Sequence, residues 1–211
     1  RHLRVSDAAG GWLLGMPRMS EVVADRARYL AVPARPSPQS LPEGAEEEIA
    51  DLADRIRVTS LPVTVVFVGL DISASRAAAD ALAHDLERSV VRMEIATFLG
   101  GGDRVLEDAG QVLRDAFLMD ALLQVEGFPD VSIEEPAVVR NLEAIWRRIQ
   151  AYDGPIVVPM GAPPPASWFD EQRHAISRTL DQPKYTERVR VLEALVATAG
   201  VPASVSLEEL G

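Results

Sequence analysis

Two kinds of apolar pattern alternate along the chain. Short apolar runs at 63–68, 90–95, 121–125, 155–160 and 175–180 predict strands. The first of them, Val63-Thr64-Val65-Val66-Phe67-Val68, is apolar at nearly every position, as a strand covered on both faces must be. Between the runs the apolar residues recur at helical spacing. Ile49, Leu52, Ala53 and Ile56 stripe a helix over 43–57, with Glu46, Glu47 and Glu48 at the positive end of its dipole. Ala74, Ala78, Ala81 and Leu82 stripe a second, which Ser73 can cap. Val105, Leu106, Ala109, Val112, Leu113 and Ala116 stripe a third. Val138, Leu142, Ile145, Ile149 and Tyr152 stripe a fourth, with Pro136 near its start and Gly154 past its end. A last helix is expected from about 186 to 199, with Gly200 as its C-cap. Strands alternating with helices of this length imply a largely parallel sheet with right-handed crossovers.

The first 42 residues follow another pattern. Val22, Val23, Arg26, Tyr29 and Leu30 fall near a helix period, after a mixed apolar segment at 12–16. Pro33, Pro36, Pro38 and Pro42 then predict an extended linker, because each fixes φ and removes a backbone donor. Residues 1–42 are therefore expected to be an arm and Pro-rich linker packed on an α/β domain at 43–200, with 201–211 as a tail.

Composition narrows the function classes. At 211 residues and 47% hydrophobic, the chain can bury a sizeable core. Its net charge of −11 argues against a nucleic-acid surface and against docking on anionic lipid. With no cysteine, disulfides, zinc–thiolate sites and thiol nucleophiles are excluded. No apolar run reaches the length of a membrane span, and the start Arg1-His2-Leu3-Arg4 is not followed by a signal-type core. The expectation is a cytoplasmic fragment without nucleic-acid or membrane partners.

Ligands of parallel α/β sheets bind beyond the carboxyl ends of the strands, so the first strand–helix turn is the place for chemistry. It reads Gly69-Leu70-Asp71-Ile72-Ser73-Ala74-Ser75-Arg76. Against the phosphate-loop pattern G-x-x-x-x-G-K-[ST], Gly69 matches the first glycine. Ala74 stands for the second glycine, Ser75 for the lysine, and Arg76 for the Ser/Thr. The small residues Ala77, Ala78, Ala79, Ala81 and Ala83 that follow have the texture usual after such a loop.

On this loop and on the order of elements over roughly 43–200, the chain resembles the AAA+ ATPase superfamily. It looks most like the degenerate, non-hydrolysing first module of bacterial proteins with two AAA+ modules in one chain. The resemblance implies a three-layer fold with five parallel strands in the order 5-1-4-3-2, ring assembly, and a helical lid whose start would be residues 201–211. It places Val125 where the magnesium-orienting Asp belongs, Glu126 at the catalytic Glu, Gly161 at the polar sensor and Arg173 near the arginine finger. Gly69, Ser73, Ala74, Ser75 and Arg76 are then the remnant of a nucleotide site, and Glu126 is the one candidate catalytic residue. Ser75 brings no charge to a phosphate, Arg76 cannot ligate Mg²⁺, and Asp71 adds negative charge, so no ATP hydrolysis and at most weak ATP·Mg binding are expected. The implied role is a structural or interaction unit of a larger ATPase, whose partners are neighbouring AAA+ modules or copies of itself. The alternative is a doubly wound enzyme domain that binds a small molecule or nucleotide at the same strand ends, lined by Asp71, Ser73, Ser75 and Glu126.

Each single residue has a plainer role beside the chemical one. Arg76 either grips a phosphate or pairs with Asp80 one helical turn on, the spacing favouring the second. Glu126 is a base or a solvated strand-end carboxylate. His84 and His174 lack a second ligand at motif spacing, so capping, surface or core roles are expected ahead of a metal. Trp146 reads as packing, and Trp168-Phe169 as a partner anchor or as a loop folded back on its own domain, the latter favoured. Gly100-Gly101-Gly102, without a flanking Lys or Ser, reads as a turn. No G-x-S-x-G elbow and no G-x-G-x-x-G after the first strand is present, which argues against a triad hydrolase and a dinucleotide oxidoreductase.

Overall fold

The structure, a computed structural model, describes residues 7–37, 40–69, 72–99, 104–128, 136–164, 168, 173–180 and 189. Asp71, Gly100-Gly101-Gly102, Phe169, the helix expected near 186–199 apart from Val189, which is helical, and the tail 201–211 lie outside the described residues.

A six-stranded sheet forms the middle layer. Its strands are β1 (Ala27–Leu30), β2 (Val63–Val68), β3 (Val90–Glu94), β4 (Leu122–Glu126), β5 (Ile156–Met160) and β6 (His174–Thr179), in the spatial order β1-β3-β4-β5-β2-β6. The five strands expected from the apolar runs are β2 to β6, each within a residue of its expected bounds, and all pair in parallel. The expectation of a five-stranded, wholly parallel sheet is corrected to a mixed sheet of six. The added strand, β1, pairs antiparallel with β3, Ala27 opposite Met93 and Leu30 opposite Val90.

That strand also overturns the helix read into 22–30. Only a 3-10 turn forms there, Glu21–Val23, before the chain extends. The helical period was weak, whereas β3 offers a full row of unpaired backbone groups at its edge. Pairing those groups outweighs a marginal local preference. Before the turn lies the short helix α1 (Asp7–Leu13); Trp12 and Leu13 at its end and Leu14 and Met16 just after it are exposed.

Helices cover both faces. On one side α2 (Ala45–Val58) and α3 (Ile72–Asp85) pack on Val63, Val65, Phe67, Val90, Leu122 and Val157. On the other, α5 (Val105–Leu118) and α6 (Pro136–Gln150) pack on Val66, Val91, Met93, Leu123, Val125 and Val158. A single turn, α4 (Ala96–Leu99), buries Phe98 at the end of the second face. The period of two along each strand sorts the residues. Starting from Val90 and Leu122 on the α3 face, the next positions on that face are Arg92 and Gln124, then Glu94 and Glu126. A polar stripe is thereby directed into the interior at the carboxyl ends of two neighbouring strands.

Two acids on α5 attach the N-terminal segment. Asp115 is fully buried and accepts hydrogen bonds from the Ser20 backbone N–H at 2.8 Å, the Ser20 hydroxyl at 3.2 Å and Gln111 Nε2 at 2.7 Å. Asp108, two turns away on the same face, pairs with Arg26 at 2.7 Å, and the Arg26 guanidinium lies 5.4 Å over the Phe98 ring. Both contacts precede β1 and hold it in register against β3. Replacing Asp115 by Ala leaves the buried Ser20 N–H without its acceptor. The expected result is a loss of about 2 kcal/mol in urea denaturation and faster trypsin cleavage at Arg18 and Arg26. An unchanged cleavage rate would show that the segment is held by other contacts.

Candidate functional site

The turn after β2 and the end of β4 meet at the carboxyl edge of the sheet. Gly69 is buried and its N–H donates to Met160 O at 2.9 Å, so this donor extends the β2–β5 ladder. Ala74 and Ser75 face the core at the start of α3, Ser75 with no exposed surface. The Ser75 hydroxyl is buried without a hydrogen-bond partner among the described residues, out of reach of a phosphate in solvent. Ser73 is exposed, and Arg76 is half exposed.

Arg76 does not pair with Asp80, as its helical spacing suggested. Its Nε and Nη2 both lie 2.7 Å from Glu126 Oε2, fifty residues away in sequence. Glu126, only 3% exposed at its side chain, is the centre of a charged cluster. Its Oε1 accepts from Gln124 Nε2 at 2.5 Å and lies 3.3 Å from Arg92 Nε, a charge contact outside hydrogen-bond alignment. Arg92 Nη2 reaches Asp80 Oδ1 at 2.9 Å and Gln124 Oε1 at 3.4 Å. Two guanidiniums thus oppose two carboxylates, with the Gln124 amide bridging.

Helix spacing explains half of this arrangement and strand spacing the rest. Arg76 and Asp80, four apart, share the face of α3 turned to the sheet. Arg92 and Gln124 are register partners, as are Glu94 and Glu126. A buried, unpaired Glu126 carboxylate would cost several kcal/mol, so its neighbours are the groups able to donate to it. Beyond it, Gly127 has φ 71, and a Cβ there would fall 1.6 Å from Glu94 Oε1. The glycine both permits the left-handed turn and leaves room for the Glu94 carboxylate.

Burial raises the Asp80 carboxyl above its ordinary 3.8, the neighbouring Arg92 only partly opposing it. The folded state therefore holds this proton in a window just above 3.8 where the unfolded chain has released it. Asp80 contributes stability that falls as pH rises through its folded pKa. Comparison of the native chain with Asp80→Asn tests this. As pH is lowered from neutral into that window, the stability difference should shift in favour of the native chain. A difference independent of pH would count against the shift.

Arg173 lies elsewhere. It precedes β6 at the opposite, amino-terminal end of the strands, and is 7% exposed. Its guanidinium donates from Nε to Thr64 Oγ1 at 3.0 Å, from Nη1 to the carbonyls of Gln150, at 3.2 Å, and Tyr152, and from Nη2 to those of Val63, at 2.8 Å, and Gly154, at 2.9 Å. Five donors meet five acceptors, the full capacity of the group. The placement near an arginine finger is thereby corrected. A finger must present free donors to a neighbour, and this one clamps β2, the end of α6 and β6 together. Burial lowers its pKa to about 10, which leaves it charged at neutral pH. The carbonyls past the end of α6 supply the compensating negative dipole. Tyr152 completes this end, its hydroxyl donating to Ala121 O at 2.6 Å and pushed up to about 12 by burial.

The remaining candidates are structural by placement. His84 Nδ1 lies 3.0 Å from Pro33 O at the end of α3, while His174 starts β6, and no metal-binding cluster occurs among the described residues. Trp146 Nε1 donates to Trp168 O at 2.6 Å, and both rings pack with Phe128 at centroid distances of 4.9 to 5.6 Å. Trp168 therefore folds back on its own domain. Gly161 follows β5 with space at its Cα, Gly69 O being 4.0 Å from the position of a Cβ.

No protein-family model and no curated protein matches the sequence. Among solved structures, the crystal structure of the FIGL-1 AAA domain is similar, with a TM-score of 0.52 at 10% identity over 73% of this chain and 57% of that one. The chain thus spans little more than half the length of that neighbour. At this identity the likeness shows the fold, an AAA-like α/β domain with the architecture of P-loop NTPases, and nothing of the chemistry. Among the described residues no helix is long and apolar enough to cross a membrane.

The Arg173 clamp gives a direct test. Arg173→Met leaves one hydroxyl and four carbonyls to find new partners, and is expected to lower the unfolding free energy by roughly 2–4 kcal/mol in urea. Arg173→Lys should recover less than half of that, since a compact ammonium with three donors cannot span the planar fork of a guanidinium. A loss under about 0.5 kcal/mol, ordinary for a surface site, would refute the clamp.

Proposed function

We propose that the chain is a non-hydrolysing AAA+-like module that serves as a structural or interaction unit of a larger ATPase. Its partners on this reading are neighbouring AAA+ modules or further copies of itself, in the cytoplasm of a bacterium. The observation that carries it is the ion pair of Arg76 with Glu126. In an active P-loop site a Ser/Thr hydroxyl and an acidic residue hold Mg²⁺, and a lysine reaches the β- and γ-phosphates. Here the residue in the hydroxyl's position is a cation, already bound to the carboxylate in the catalytic position. Ser75, in the lysine's position, is buried, and Val125 in the metal-orienting position is buried and apolar. These residues do not fit an Mg·ATP complex. Glu126 has its acceptors occupied by Arg76, Arg92 and Gln124 and is not free to act as a base.

The binding test is calorimetry of the chain with ATP and magnesium, beside a phosphate-release assay. No hydrolysis is expected, and binding is expected to be no tighter than the millimolar range, about −4 kcal/mol. That is within reach of backbone N–H groups at the start of α3 alone. A low-micromolar dissociation constant that is lost in Arg76→Ala would mean that Arg76 has taken over the lysine's work. The chain would then be a nucleotide-sensing module instead.

A further inference from the structure

On the face of the domain away from the charged cluster, α5, α6 and the turn after α6 line an open groove of about 780 Å³. Its floor is apolar, built by Leu106, Leu113, Phe117 and Leu118 from α5, by Ala144 from α6 and by Ala151 just past the end of α6. Phe117 is 64% exposed and Leu106 44%, large apolar side chains that the fold itself leaves uncovered. Three arginines, Arg114, Arg147 and Arg148, stand along it against a single acid, Asp153. In a protein of net charge −11 that local excess of positive charge is unusual. Among the described residues none of the three pairs with a carboxylate. Arg114 donates only to Gln111 Oε1, at 2.6 Å on its own helix.

Gly110 shows how the groove is kept open. It sits in the middle of α5, where glycine is the poorest helix former after proline. A Cβ at that position would lie 2.9 Å from Arg148 Nη2 and 3.1 Å from its Nε. The missing side chain lets the Arg148 guanidinium lie across α5, so that it borders the apolar floor.

We propose that this groove is the docking site of an acidic amphipathic helix from a partner protein. The distance along α5 from Leu106 to Phe117 is about 16 Å, three helical turns. A partner helix laid in the groove covers that length with anchors at i, i+4, i+7 and i+11. Apolar anchors cover the exposed Phe117 and Leu106, and Glu or Asp residues flanking them meet the unpaired arginines. The net negative charge of the domain does not oppose this at contact, because charges beyond about 8 Å are screened at physiological salt. The groove shares no residue with the charged cluster around Glu126, so this inference and the proposed function stand or fall separately.

The test uses the full chain and a fluorescein-labelled, helix-stapled peptide of about four turns, with leucine along one face and glutamate elsewhere. A second peptide carries lysine in place of every glutamate. Fluorescence anisotropy is expected to give saturable binding of the glutamate peptide. The lysine peptide should bind at least about tenfold more weakly, as charge reversal at an interface implies. Arg147→Glu combined with Arg148→Glu alters only exposed side chains and should invert that preference. Gly110→Ala, which favours the helix but displaces the Arg148 guanidinium, should weaken the glutamate peptide several-fold while circular dichroism stays native. Equal binding of the two peptides, or no saturable binding, overturns the proposal. So does displacement of the glutamate peptide by an oligothymidylate, which would make the arginines readers of phosphate. A concentration-dependent dimer in sedimentation, abolished by Phe117→Ser, would make the occupant a second copy of this chain and also overturn it.

Discussion

A carboxylate at the end of a central strand, shut off from water, sets the terms for everything around it. Glu126 is buried where β4 places it, and an unpaired buried charge there would cost several kcal/mol. The groups that meet it come from three elements. Arg76 arrives from α3, Arg92 from β3, and Gln124 from the same strand two residues earlier. Asp80 follows from Arg92, which would otherwise bring more positive charge than the site can use. The position of α3 is therefore fixed by charge, through Arg76 to Glu126 on β4 and Asp80 to Arg92 on β3, and by its buried apolar residues Ala74, Ala78, Ala81 and Leu82. The alanines at 74, 78 and 81 let the helix lie close to the sheet, so that Arg76 can reach across to β4.

The opposite end of the sheet is organised by the converse group. Arg173 is a buried cation with no carboxylate among its hydrogen-bond partners, compensated by carbonyl dipoles from two segments, the start of β2 and the stretch past the end of α6, that the parallel topology brings together at the strand starts. The two ends differ in what they can do. The Arg173 site uses all its donors on the chain itself and serves the fold alone. The Glu126 cluster is neutral as a set but half open through Arg76, so it is the end at which a ligand can still compete for an existing partner.

What was legible in the sequence followed from burial and local spacing. The apolar runs of β2, β4 and β5 admit few other readings, because strands buried on both faces cannot alternate. Pro136 and the stripe through Leu142, Ile145 and Ile149 mark α6 for the same kind of reason. The position of the loop at Gly69 was legible because the alanine-rich helix fixed its register. What was not legible depended on contacts distant in sequence. β1 exists because β3 has a free edge, which no pattern within 27–30 records. The Arg76 partner was misjudged because the i+4 rule sees only the helix and not the strand beneath it. Arg173 and Asp115 look like surface charges in a sequence, and only five and three convergent hydrogen bonds, respectively, make them interior. One signal was available: Asp108 and Asp115 sit seven apart beside buried apolar positions of α5, a spacing that directs both toward the packed face.

The substitutions around the loop make physical sense as one change when taken with the proposed function. A working P-loop site concentrates acidic residues and relies on a bound metal to offset them, and on a lysine to offset the phosphates. A chain that binds neither must balance its own charge when empty. On the proposed function, Val125 stands where a working site has a carboxylate, and Arg76 is a permanent cation beside Glu126. Each change alone leaves the site worse. Arg76 without Glu126 would lose its carboxylate partner, and Glu126 without Arg76 would be left with the Gln124 amide and with Arg92, whose Nε is 3.3 Å away and poorly aligned. Together they yield a closed ion pair at 2.7 Å that holds α3 against β4 with no ligand present. On the proposed function, the guanidinium of Arg76 does from within the chain what a metal ion does in a working site.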